Sequence, residues 1–99
     1  MSYRHADLVR IVIQAIRDAN PELQDDEIAP DHSLVSDLNL SSTRIIWVFE
    51  RLERELGLQL WPSIIVEYVI AGPSVGRLAR TMAAQLHEQG GTEGARHAA

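Results

Sequence analysis

Residues 36–57 read Ser36-Asp37-Leu38-Asn39-Leu40-Ser41-Ser42-Thr43-Arg44-Ile45-Ile46-Trp47-Val48-Phe49-Glu50-Arg51-Leu52-Glu53-Arg54-Glu55-Leu56-Gly57. A polar loop gives way at Ser41 to helical periodicity. Ile45, Val48, Phe49, Leu52 and Leu56 fall on one stripe of a helix. Glu50, Arg51, Glu53, Arg54 and Glu55 cover the rest, with opposite-sign pairs four residues apart. Ser41 suits the N-cap, and Gly57 suits a left-handed C-terminal cap. Asn39 tolerates the left-handed backbone a turn there requires. The pattern predicts a helix over Ser41–Leu56. It places Ser42 in the first turn, outside the core stripe and exposed.

Working outward, a second amphipathic stretch covers Ser2 to Ala19. Leu8, Ile11, Val12, Ala15 and Ile16 recur at helical spacing, with Ser2 as a candidate cap. Asn20-Pro21 ends it, because proline disfavours helix in the preceding residue. Pro21 to Leu40 is a long polar connection with apolar anchors at Leu23, Ile28, Leu34, Val35 and Leu38. Their regular placement predicts a connection packed on the core. After Gly57, Trp61-Pro62 opens a short third helix to about Ile70. Its run of Ile and Val also suits a strand, but no second strand exists to pair with it. Ala71-Gly72-Pro73 is a turn. Ser74 caps a fourth helix with Val75, Leu78, Met82 and Leu86 on its stripe. The sequence therefore predicts an all-α fold: a small four-helix bundle with a long loop between helices 1 and 2 and a short helix 3. The folded domain is expected over 1–88. Residues 89–99, Gly-rich and without packing side chains, are expected to form a disordered tail.

Bulk properties narrow the function. Ninety-nine residues make one domain. The formal net charge of −5 argues against a nucleic-acid binder, which needs a concentrated basic face. There is no cysteine, hence no disulfide and no thiolate nucleophile or ligand. No apolar run approaches the roughly 18 residues of a membrane span, and residues 1–10 lack the apolar core of a signal peptide. A cytoplasmic monomer that contacts no membrane is expected.

The chemistry-bearing feature is the pair Ser41 and Ser42 at a helix start. Free amides and the positive end of the helix dipole favour a negative charge there, which suits a phosphodiester-linked serine. Plain capping explains the same two serines more simply. Gly72-Pro73-Ser74-Val75-Gly76 matches the nucleophile elbow of serine hydrolases, but that motif needs a sheet beneath it. Ser74 as a cap is the better reading. His5, His32, His87 and His97 have no metal-ligand spacing, and His32 reads as a solvated loop residue. Trp61, Ile64 and Tyr68 could form the wall of a small-molecule pocket, although such residues at the edge of a bundle are more often core.

The stretch Leu38-Asn39-Leu40-Ser41-Ser42-Thr43 resembles the Leu-Gly-x-Asp-Ser-Leu signature of acyl carrier proteins of fatty acid, polyketide and nonribosomal peptide synthesis. Ile28-Ala29-Pro30-Asp31-His32-Ser33-Leu34 resembles that family's approach to the signature. Leu52 to Leu60 resembles the end of its second helix, and Ser74-Val75-Gly76-Arg77-Leu78 the start of its last. The likeness covers about Ala6 to Leu86, in order. Asn39 stands where the family has glycine, Ser41 where it has aspartate, and Thr43 where it has leucine.

The resemblance implies a carrier and not an enzyme. Ser42 would receive 4′-phosphopantetheine from coenzyme A, with Ser41 the lesser candidate. The arm's thiol would hold acyl or aminoacyl cargo as a thioester. Implied partners are a phosphopantetheinyl transferase, an acyl- or aminoacyl-loading ligase or transferase, and downstream synthase enzymes. They would meet Ser41, Thr43, Arg44, Ile46, Trp47 and Glu50. Trp47 lies nearly opposite the core stripe, which predicts either an exposed partner anchor or packing against a loop. The mixed charge of the second helix points to a specialised, stand-alone carrier. The alternative is an unmodified four-helix interaction module of the same fold.

Overall fold

The computed structural model describes residues 3–98, apart from the side chains of residues 68, 69 and 89–98. Four α-helices form the chain: α1 (His5–Ala19), α2 (Ser42–Leu56), α3 (Pro62–Ala71) and α4 (Val75–Ala98). No strand occurs among the described residues. The β-branched run 64–70 is helical, as expected for a segment with no strand to pair with. The expected tail over 89–99 falls where α4 continues to Ala98 and where side chains lie outside the described residues. No described helix is long and apolar enough to cross a membrane.

Each helix end has a local cause. α1 begins at His5 with Arg4 as N-cap, and the Asp7 carboxylate accepts from the Arg4 amide at 3.3 Å. The Ser2 cap expected from sequence lies outside the described residues. At its C-terminus Asn20 is fully buried and its Nδ2 donates to the Ile16 carbonyl at 2.8 Å. Pro21–Leu23 then makes one 3-10 turn. α2 closes on Gly57, whose φ of 66° puts it in the left-handed region that glycine adopts without strain.

α1 is the central element and packs against both α2 and α4, while α3 packs on α2. Leu8, Val12 and Ile16 of α1 meet Ile45, Phe49 and Leu52 of α2 and Leu78 and Met82 of α4 in one continuous core. Full burial of each such side chain contributes about 1.5–3 kcal/mol before chain entropy is set against it.

The long connection is held to the turn before α4 by backbone hydrogen bonds. The Leu34 amide donates to the Pro73 carbonyl at 3.0 Å. The Val75 and Gly76 amides donate back, to His32 at 2.9 Å and Pro30 at 2.8 Å. Those two amides belong to the first turn of α4 and have no partner within their own helix. Ser74 Oγ takes the third, from Arg77, at 3.1 Å. The connection therefore completes the N-terminus of α4. The approach is close: a Cβ on Gly76 would stand 3.2 Å from the Pro30 carbonyl oxygen.

Two of the expected anchors, Ile28 and Leu34, are buried, and Leu23 and Leu38 are half-buried. Val35 departs from expectation. It is 39% exposed, because the turn that buries Leu34 directs its neighbour outward. Replacing Leu34 by Ala should lower stability to urea by about 2–5 kcal/mol. Val35→Ala should stay within about 0.5 kcal/mol of wild type. Equal losses in the two would contradict this anchoring.

Candidate functional site

The segment before α2 is wound around Ser33, a residue that sequence reasoning passed over. Ser33 Oγ accepts from the Val35 and Ser36 amides at 3.3 and 3.1 Å and donates to the Gly72 carbonyl at 2.9 Å. Asp37 returns the favour: its Oδ2 accepts from the Ser33 amide at 2.7 Å. The Leu40 amide closes the loop on the Leu34 carbonyl at 3.0 Å. A serine followed three and four residues later by Ser36 and Asp37 is a local turn pattern, and that was the available signal.

Asn39 has φ of 54°, the only non-glycine residue at positive φ among those described. The left-handed backbone expected there is present. The turn explains why a glycine or asparagine belongs at this position. It aims the chain so that Leu40 goes into the core and Ser41 begins the helix.

Ser41 is the N-cap, and its Oγ accepts from the Arg44 amide at 3.3 Å. Ser42 is the first residue of α2 and is exposed. Its hydroxyl has no protein partner among the described residues. Nor do the amides of Ser42 and Thr43, in contrast to the first two amides of α4. An exposed hydroxyl next to two open amides at the positive end of a 15-residue helix is a local environment that favours an anion.

The other site residues divide between two flanks. Arg44 reaches back across the domain: its Nη1 donates to the Ala19 carbonyl, at the end of α1, at 2.7 Å. Its guanidinium also lies 5.0 Å from the centre of the Trp47 ring, within cation–π range. Trp47 is 46% exposed, and the group over its ring belongs to its own helix and not to a loop. One face is covered by Arg44 and the remainder meets solvent. Arg44, Trp47, Glu50 and Arg54 line a shallow groove of about 400 Å³ against Ala19 and Pro21. Arg51 pairs with Asp18 at 3.2 Å, a partly exposed contact of little energetic weight. A larger groove of about 670 Å³ runs between α1 and α2 past Tyr3, Ile11 and Glu55. Ser42 lines neither. Ser41, Thr43, Ile46 and Glu50 are all exposed, and Ile46 stands on the flank away from Arg44.

Three features set aside in the sequence are placed as follows. Ser74 caps α4, and no sheet lies beneath it among the described residues. His32, read as solvated, is half-buried, and its Nδ1 accepts from the Ala29 amide at 3.1 Å. It braces the turn that feeds the Pro30 and His32 carbonyls to α4. Trp61, read as core, is 60% exposed, whereas Ile64 packs against the core. The Tyr68 side chain lies outside the described residues. No cluster of three metal-ligating side chains occurs among the described residues.

Comparison with models of known protein families, with curated proteins and with solved structures returns no match.

The left-handed turn yields a direct test. Asn39→Gly should retain wild-type stability to within about 0.5 kcal/mol, whereas Asn39→Val should lose about 1–3 kcal/mol in chemical unfolding. Equal behaviour of the two variants would show that positive φ at this position is dispensable.

Proposed function

We infer that this protein is a carrier that holds acyl or aminoacyl cargo as a thioester on a 4′-phosphopantetheine arm attached to Ser42 Oγ. Its helices are, on this reading, arranged in the acyl-carrier manner, and the protein works as a specialised stand-alone carrier in the cytoplasm. One observation supports the reading above the rest. Ser42 is exposed in the first turn of α2 while Ser41 takes the capping bond, so the Ser42 hydroxyl stays free.

The residues present fit such a group. The open Ser42 and Thr43 amides suit the negative charge of a phosphodiester. Asn39 supplies the turn that the family builds with glycine, and its φ of 54° satisfies the same backbone requirement. Ser41 replaces the family's aspartate and retains its cap, without the charge. When attached, the arm supplies a terminal thiol and a tether that raises the local concentration of cargo at each enzyme. The chain's own task is to hold Ser42 rigidly outward. Thr43 and Ile46, with Arg44, Trp47 and Glu50 around the groove on the other side, border what a partner meets.

The test is intact mass after incubation with coenzyme A, magnesium and a broad-specificity phosphopantetheinyl transferase. Wild type should gain one phosphopantetheine, and so should Ser41→Ala, despite a cap loss of about 1 kcal/mol. Ser42→Ala should gain none. If wild type stays bare both there and when isolated from its host, the carrier function is wrong. The chain is then an unmodified interaction module.

A further inference from the structure

Two polar side-chain atoms at the C-terminal end of α1 are buried without a hydrogen-bond partner: Arg17 Nε and Asn20 Oδ1. Asn20 is the one fully buried polar residue among those described. Arg17 lies in the last turn of the helix and Asn20 three residues on, at its C-cap, so the two side chains share a face. One atom is a donor and the other an acceptor. Buried groups of either kind are nearly always paired, because folding strips them of water and nothing else returns that bond.

Each side chain is already pinned by another bond. Asn20 Nδ2 donates to the Ile16 carbonyl at 2.8 Å. That contact fixes the amide, since reversing it would set Oδ1 against the carbonyl, acceptor against acceptor. The Asn20 backbone amide donates to the Arg17 carbonyl instead, at 3.1 Å, so the side chain serves Ile16 in its place. The Arg17 guanidinium is held from the connection: its Nη2 donates to the Asp26 carbonyl at 3.1 Å. With both of these bonds in place, Nε and Oδ1 are left over.

The chemistry of the leftover pair selects its ligand. An anion would suit the guanidinium but would meet the Asn20 oxygen as a second acceptor. A metal cation would suit that oxygen but would meet a positive charge. A molecule that accepts on one side and donates on the other suits both, and water is the smallest of these.

We propose that one ordered water molecule is built into the end of α1, accepting from Arg17 Nε–H and donating to Asn20 Oδ1. Two polar partners meet the lower bound for a buried water. The molecule belongs to the joint where α1 stops and the connection begins. The same joint offers the Ala19 carbonyl to Arg44, in the first turn of α2. This water site stands or falls independently of the carrier function.

The test is a high-resolution crystal structure of the protein, joined to NMR in solution. Density for one water within hydrogen-bond distance of both atoms is expected. In solution, Arg17 Nε–H should show a cross-peak to water with the sign of a bound molecule, which a rotating-frame measurement separates from proton exchange. Arg17→Lys keeps the positive charge and puts a methylene where Nε stood. That variant should keep its helical circular dichroism and lose the water. A direct bond between Nε and Oδ1, another protein partner for either atom, or both atoms open to bulk solvent overturns the proposal. So does a water that stays in Arg17→Lys with undiminished density, because Nε would not be holding it. Should the variant fail to fold, the wild-type density decides alone.

Discussion

The reciprocal backbone bonds between Pro30–Leu34 and Pro73–Gly76 carry the constraint on which the site depends. Leu34 donates to Pro73, and the first amides of α4 donate to His32 and Pro30. One set of contacts therefore serves two ends. It satisfies the start of α4, which would otherwise leave buried amides open, and it fixes the loop that Ser33 organises. Leu34 then fills the core below, Leu40 closes on Leu34, and the chain has a single way into α2. This chain of bonds leads directly to the cap residue before Ser42.

Much of this was legible in residue order, for physical reasons. Helix periodicity and end chemistry are local, so α2 with its Ser41 cap and Gly57 stop, and α4 with its Ser74 cap, could be read directly. The left-handed turn at Asn39 was also readable, because few residues tolerate it. What escaped was non-local. Nothing near Gly76 announces that the Pro30 carbonyl lies against it. Nothing near Arg44 announces that it ends on Ala19. Val35 and Trp61 were read as inward from their hydrophobicity, yet both face solvent. Hydrophobicity gives a preference for burial, whereas the turn geometry decides which neighbour is buried. The serine pair was legible as a helix start, and only the family resemblance separated attachment site from cap.

Exposed apolar side chains are spread over the domain: Val35 on the acidic connection, Ile46 and Trp47 on α2, Trp61 ahead of α3, and Val66 and Ile70 along it. Water covers such surface at some cost. Arg44 lessens that cost at one place, because its guanidinium lies over the Trp47 ring while its Nη1 is held by the Ala19 carbonyl.

The bonds across Pro30–Gly76 have a consequence for the order of events during synthesis. Their partners are some forty residues apart in the chain, and closing so long a loop costs entropy that no local contact returns. A nascent chain that ends before Pro73 has Ser42 and all of α2 but lacks the carbonyl and amides that hold the preceding loop. Any attachment that depends on the finished shape of that loop must wait until the first turn of α4 has left the ribosome. The serine sits near the middle of the sequence, but its maturation is timed by residues made much later.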